Sequence, residues 1–95
     1  MPAMHFQIRW PDGQVDTCYS PSLVVREHLA VGSSYPVPEF LQRVGTALTI
    51  GSERVRAKYG YACSMALDQL AAIESAAAHC APGQRVQVVS FDPSE

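Results

Sequence analysis

The chain begins with a strict alternation. Met4, Phe6, Ile8 and Trp10 take every second place, with His5, Gln7 and Arg9 between them, the period of a strand that buries one face. Pro11-Asp12-Gly13 follows, and these three residue types favour a reversal because proline presets φ, aspartate bonds locally and glycine accepts positive φ. Val15, Thr17 and Tyr19 then alternate with Gln14, Asp16 and Cys18. Residues 4–19 therefore read as a β-hairpin. Near the other end Val86 and Val88 alternate with Arg85 and Gln87, although Val89 and Phe91 blur which face is buried. A third strand over residues 85–91 is expected beside the first.

Between these strands the period changes. From Glu39 onward Phe40, Leu41, Val44, Ala47, Leu48 and Val55 recur at steps of three and four, which predicts an amphipathic helix. Gly45 and Gly51 each weaken it by on the order of 1 kcal/mol relative to alanine, so one of them marks a bend or admits a neighbouring backbone. Tyr59-Gly60 suits its end, since glycine takes a left-handed cap without a Cβ penalty. A second helix follows with Ser64 as its cap, Leu67, Leu70, Ala71, Ile73 and Ala77 inward, and Asp68, Gln69 and Glu74 toward water. Pro82-Gly83 stops it. Ser20-Pro21-Ser22 reads as the entrance to a short helix that carries Leu23, Val24, Val25, His28 and Leu29 and ends near Gly32, with an extended segment as the competing reading. Residues 32–38 contain Pro36 and Pro38 and are expected to be a loop, and residues 92–95 a frayed tail. The pattern predicts one domain over 1–95, an α+β two-layer fold. Its three-stranded sheet, the N-terminal hairpin plus the C-terminal strand, is covered on one face by two main helices and one short helix.

Composition narrows the function classes. Of 95 residues 47% are hydrophobic and 17% charged, with a net charge of −2, which is globular composition and gives no reason to expect nucleic acid. Arg54, Arg56 and Lys58 make a small basic cluster beside Glu53, read as a solvated helix face. No long apolar run marks a signal peptide or membrane span. The expected location is the cytoplasm. A chain this small has little stability to spare, so a homo-oligomer, a dimer above all, is expected.

Few residues offer chemistry. Cys18, Cys63 and Cys80 are an odd number without paired spacing, as expected of reduced thiols. His79 and Cys80 are helical neighbours that point apart, so neither a metal site nor a cofactor is predicted. No phosphate-binding glycine motif is present. Cys63 is the one candidate nucleophile, because a position near a helix start makes a thiolate more available; a small residue packed at the junction is the plainer reading. Trp10, Tyr35, Tyr59 and Tyr61, with Arg54 and Lys58, are candidates for a polar-aromatic surface, a composition that suits a protein interface. Each tyrosine is equally readable as a core edge with a wet hydroxyl.

Long stretches of the chain carry a family likeness. M-H-F-Q-I-R-W-P-D-G, C-Y-S-P-S-L-V-V-R-E-H-L, S-Y-P-V-P-E-F and S-E-R-V-R-A-K-Y-G-Y-A-C-S-M-A-L-D-Q-L-A-A-I-E together resemble a family of small bacterial nitrogen starvation response proteins encoded in a gene cluster with a nitrilase. The resemblance spans nearly the whole chain. It implies cytoplasmic expression under nitrogen limitation beside the nitrilase and other enzymes, and it implies no assigned reaction and no catalytic residues. The expected role is therefore that of an accessory protein that associates with itself and with an enzyme of that pathway, through surfaces that include the uncovered sheet face of His5, Gln7 and Arg9. A small enzyme or ligand-binding subunit using Cys63 with Arg54, Lys58 or Tyr61 is the rival.

Overall fold

The structure is a computed structural model that describes residues 3–92; of the tail expected at 92–95, Asp92 instead ends the last strand and residues 93–95 lie outside the described residues. Strands β1 (Met4–Arg9) and β2 (Val15–Ser20) form the expected hairpin, in register from Met4↔Ser20 to Arg9↔Val15. Its turn is closed by two bonds, from the Trp10 amide to the Gln14 carbonyl at 2.8 Å and from the Gly13 amide to the Trp10 carbonyl at 2.9 Å. Gly13 sits at φ +93°, a region where a side chain is strained.

The sheet has four strands, not three. Its order is β2-β1-β4-β3, all antiparallel, with β3 (Ser34–Pro36) on one edge and β4 (Arg85–Asp92) beside β1. The expected loop at 32–38 thus contains a strand. Proline is excluded from a ladder only where its missing N–H would have to donate, and an edge strand has a side that needs no donor. Flanking residues complete the pairing, with Gly32 donating to the Val88 carbonyl at 2.8 Å, Val88 to Ser33 at 2.9 Å and Val37 to Gln84 at 3.0 Å.

Strand β4 also explains its blurred pattern. The register slips between Gln7 and Ile8, so Ile8 faces Val88 while Gln7 faces Ser90. Val89 is the extra residue of a bulge. On β2 the buried positions are Cys18 and Ser20, while Val15 lies out in solvent.

Among the described residues three helices cover the inner face. The first, α1 (Val25–His28), is a single turn shorter than the segment expected, because Ser20 and Ser22 turn the chain beforehand: the Ser20 hydroxyl donates to the Ser22 carbonyl at 2.7 Å, and the Val24 amide donates to the Ser22 hydroxyl at 3.3 Å. Helix α2 (Val37–Tyr59) begins directly at β3 and ends at Gly60, whose φ of +86° and bond to the Arg56 carbonyl at 2.8 Å make the left-handed cap. Gly51 is the close-approach glycine. A Cβ there would stand 3.0 Å from Pro21 Cγ and 3.3 Å from Ser22 Oγ.

Helix α3 (Ser64–Ala77) is rotated from its expected setting. Ala66, Ile73 and Ala77 are buried and Leu70 half-buried, whereas Leu67 and Ala71 are exposed. Two alanines in the stripe let α3 lie close to α2. Gln69, expected toward water, is half-buried and its side-chain carbonyl accepts from the Tyr19 amide at 2.9 Å, capping part of the β2 edge. One core joins Met4, Phe6, Ile8 and Trp10 to Val25, Phe40, Val44, Leu48, Ile73, Val86 and Val88. The opposite sheet face bears His5, Gln7 and Arg9, and its polar groups bond one another: Gln7 with Thr17 and Ser90, Arg9 with Gln87.

Candidate functional site

The expected surface residues separate into three places. Trp10 is only 6% exposed and packs edge-on to Phe40, with ring centroids 6.0 Å apart. Tyr35 is half-buried on the inner side of β3, where its hydroxyl accepts from the Ala30 amide at 3.0 Å and the Arg43 guanidinium lies 4.8 Å from its ring centre. Neither joins the others. Arg54, Lys58, Tyr59 and Tyr61 do gather, at the elbow where α2 gives way to α3.

The elbow is shaped by its caps. Gly60 ends α2 abruptly, and the chain then turns through residues 61–63 to Cys63, which is extended at φ −78°, ψ 104° and caps α3. The Cys63 amide donates to the buried Ser52 hydroxyl of α2 at 3.3 Å. Pinned there, residues 59–62 are thrown outward. Tyr61 is 68% exposed, its ring 6.4 Å from that of Tyr59, and the Lys58 ammonium stands 5.6 Å from the Tyr59 ring centre, within reach of a cation–π attraction. Met65 and Leu67 follow on the first turns of α3, both exposed. Four of the six large exposed hydrophobic residues among those described fall between positions 59 and 67. Sequence periodicity missed these last two, since Leu67 fits an inward stripe as well as an outward one.

Cys63 is half-buried behind this surface. Tyr19 of β2 lies beside it, its phenol held above its ordinary range by burial first and by the neighbouring Cys63 thiol after it. Tyr19 in turn stands edge-on to His5 at 5.8 Å. Among the described residues no hydrogen bond or ion pair joins the Cys63 side chain to Arg54, Lys58 or Tyr61. Cys18 is fully buried, its thiol pushed up to about 12 by burial and, after that, by the Asp16 carboxylate. Cys80 is half-buried and its thiol faces the Ala76 carbonyl at 3.8 Å.

Fold and elbow together define a small α+β protein with a four-stranded antiparallel sheet, one helical layer and an exposed aromatic corner. The family described as nitrogen starvation-induced protein NitG matches residues 5–91, and the chain belongs to that family. No curated protein and no solved structure matches it. Among the described residues no helix is long and apolar enough to cross a membrane.

Proposed function

We propose that this nitrogen starvation-induced protein is a non-enzymatic accessory protein that works by docking, and that the α2–α3 elbow is the surface it presents. The observation that carries this reading is the concentration of Tyr59, Tyr61, Met65 and Leu67 at one corner. Tyrosine and methionine are enriched in protein interfaces, and clustered exposed hydrophobic residues mark contact sites. Arg54 and Lys58 stand beside them with no carboxylate partner among the described residues, while Arg56 is bridged by Glu53 at 3.6 Å. The partner that complements this corner is an acidic protein surface carrying an apolar pocket. The setting that fits is the bacterial cytoplasm under nitrogen limitation, with an enzyme of the nitrilase gene cluster as the partner. Self-association as a dimer belongs to the same proposal and uses a different surface, the open β2 edge.

A photo-crosslinking residue placed at Tyr61, at Leu67 and, as a control, at Gln7 tests the docking surface in nitrogen-starved cells. The first two positions are expected to trap the same protein and the third none. Tyr61→Ala and Lys58→Glu should each weaken the purified pair roughly tenfold, as truncation of an interface anchor does, and added salt should weaken it further. Equal trapping at Gln7, or wild-type affinity for both variants, overturns the reading.

A second reading, an enzyme or ligand-binding subunit built on Cys63, is favoured by one observation, the contact between its thiol and Tyr19. Cys63→Ser decides between them, because docking tolerates it and thiol chemistry does not.

A further inference from the structure

A separate feature lies at the far end of α3. A cavity of about 370 Å³ opens between the β1–β2 turn and the chain leaving α3, lined by Trp10, Asp12, Asp16, His79, Cys80 and Gln84 with three others. Trp10 is its floor. The indole N–H donates to Asp16 Oδ2 at 2.7 Å, and Asp12 Oδ1 accepts from the Gln14 amide at 3.0 Å, so the turn itself fixes both carboxylates at the rim. Among the described residues nothing bonds the second oxygen of either.

Several observations on this cavity agree in sign. None of its lining residues is lysine or arginine. The last turn of α3 carries no basic side chain, which leaves the negative end of that helix uncompensated beside the cavity, where Ala76 forms part of the wall. Asp12 and Asp16 are exposed and enter no ion pair among the described residues. Pockets that take small molecules combine an apolar wall with a few convergent polar groups and begin near 300 Å³.

We propose that this cavity binds a small organic cation, a primary ammonium or guanidinium group on a short alkyl chain. The cationic head lies between Asp12 and Asp16, and the carbon chain lies on the Trp10 indole. A metal ion is the less suitable occupant, since among the described residues no three His, Cys, Asp or Glu side chains converge to hold one, and an aromatic floor offers a metal nothing.

Trp10 is the only tryptophan of the chain, so its emission reports this cavity together with the core contact to Phe40 behind it. The full chain is titrated at constant ionic strength with n-butylammonium chloride, n-butanol and sodium butyrate. The amine is expected to change the emission saturably, and the alcohol and the carboxylate to leave it flat. Asp12→Asn should weaken the amine roughly fivefold, the upper range for an exposed charge pair. Asp16→Asn also replaces the charged acceptor of the indole bond with a neutral one, so Asp12→Asn and His79→Lys, which sets a cation at the rim, carry the comparison once circular dichroism shows them folded. An equal response to butanol, a response that never saturates, or unchanged affinity in Asp12→Asn overturns the proposal. The elbow is separated from this cavity by the 14 residues of α3, about 20 Å at the helical rise, so failure here leaves the docking proposal standing.

Discussion

Two glycines on one helix make opposite demands. At Gly45 an added Cβ would meet nothing closer than Leu70 Cδ1 at 3.9 Å, an ordinary contact, whereas at Gly51 it would meet the ring of Pro21 at 3.0 Å. Pro21 is buried and its ring is rigid, so it cannot yield. Gly45→Ala is therefore expected to stabilise the protein by about 0.5–1 kcal/mol through helix propensity, and Gly51→Ala to destabilise it by about 1 kcal/mol, overpacking outweighing that gain. Urea unfolding of both variants measures this, and a shared sign sinks the account. Cys18 makes a second residue-scale claim. Its thiol moves from 9.0 to about 12 in the folded chain, so the unfolded chain gives up that proton first as pH rises. The stability contributed is whole below pH 9 and falls between pH 9 and 12, by at most ~1.4 kcal/mol per pH unit. Cys18→Ala should lack that slope in chemical denaturation across the alkaline range; an unchanged slope assigns it to other groups.

Among the elements, β3 depends most on side chains. It is three residues long and contains a proline, so few ladder bonds hold it. Arg85 donates to the Ser34 carbonyl at 2.7 Å and the Ser34 hydroxyl at 3.1 Å, while Arg43 of α2 lies on Tyr35, donates to the His28 carbonyl at 3.1 Å and pairs with Glu39 at 2.8 Å. Arg43 thereby ties β3, α1 and the first turns of α2 together. Arg43→Ala should speed hydrogen exchange at the Gly32 and Val37 amides at least tenfold while leaving β1 amides near wild type, since loss of these contacts opens the edge before the core. Uniform acceleration would mean that Arg43 supports the whole fold. The same element shows what a one-dimensional reading can reach. The hairpin was readable because β1 buries one face and wets the other, so alternation reports burial directly. Strand β3 has too few residues to display a period, and Pro36 within it and Pro38 after it argue locally against a ladder that only β4, some 50 residues away, supplies. The setting of α3 was hidden for another reason: alanines lie on both sides of the helix, so Leu67 and Ile73 compete for the inward stripe without contrast. The elbow was partly legible, since Gly60 and the tyrosines around it stand together in the sequence. The cavity was not, because its rim joins Asp12 and Asp16 to His79 and Cys80 across most of the chain.

At the scale of the whole molecule the question is which surface a second copy would use. The sequence offers the open sheet edges and the face of His5, Gln7 and Arg9, but the polar groups of that face already bond one another, and covering it would break contacts that water and neighbours now satisfy. The elbow carries like charges that would meet across a two-fold axis. Of the two sheet edges, β3 is short and holds a proline, a natural guard against pairing. The β2 edge is six residues long, and the Tyr19 amide points outward along it to Gln69. By the period of two, the Val15 and Thr17 amides also point outward, and nothing among the described residues receives them. Light scattering is therefore expected to give a mass about twice the 10.3 kDa of the chain. Thr17→Pro should restore the monomer, because it removes an edge donor and no backbone bond to β1, with loss of the exposed Gln7–Thr17 side-chain bond costing about 0.5 kcal/mol. A wild-type monomer at every concentration excludes the dimer. A Thr17→Pro variant that still dimerises moves the interface away from β2.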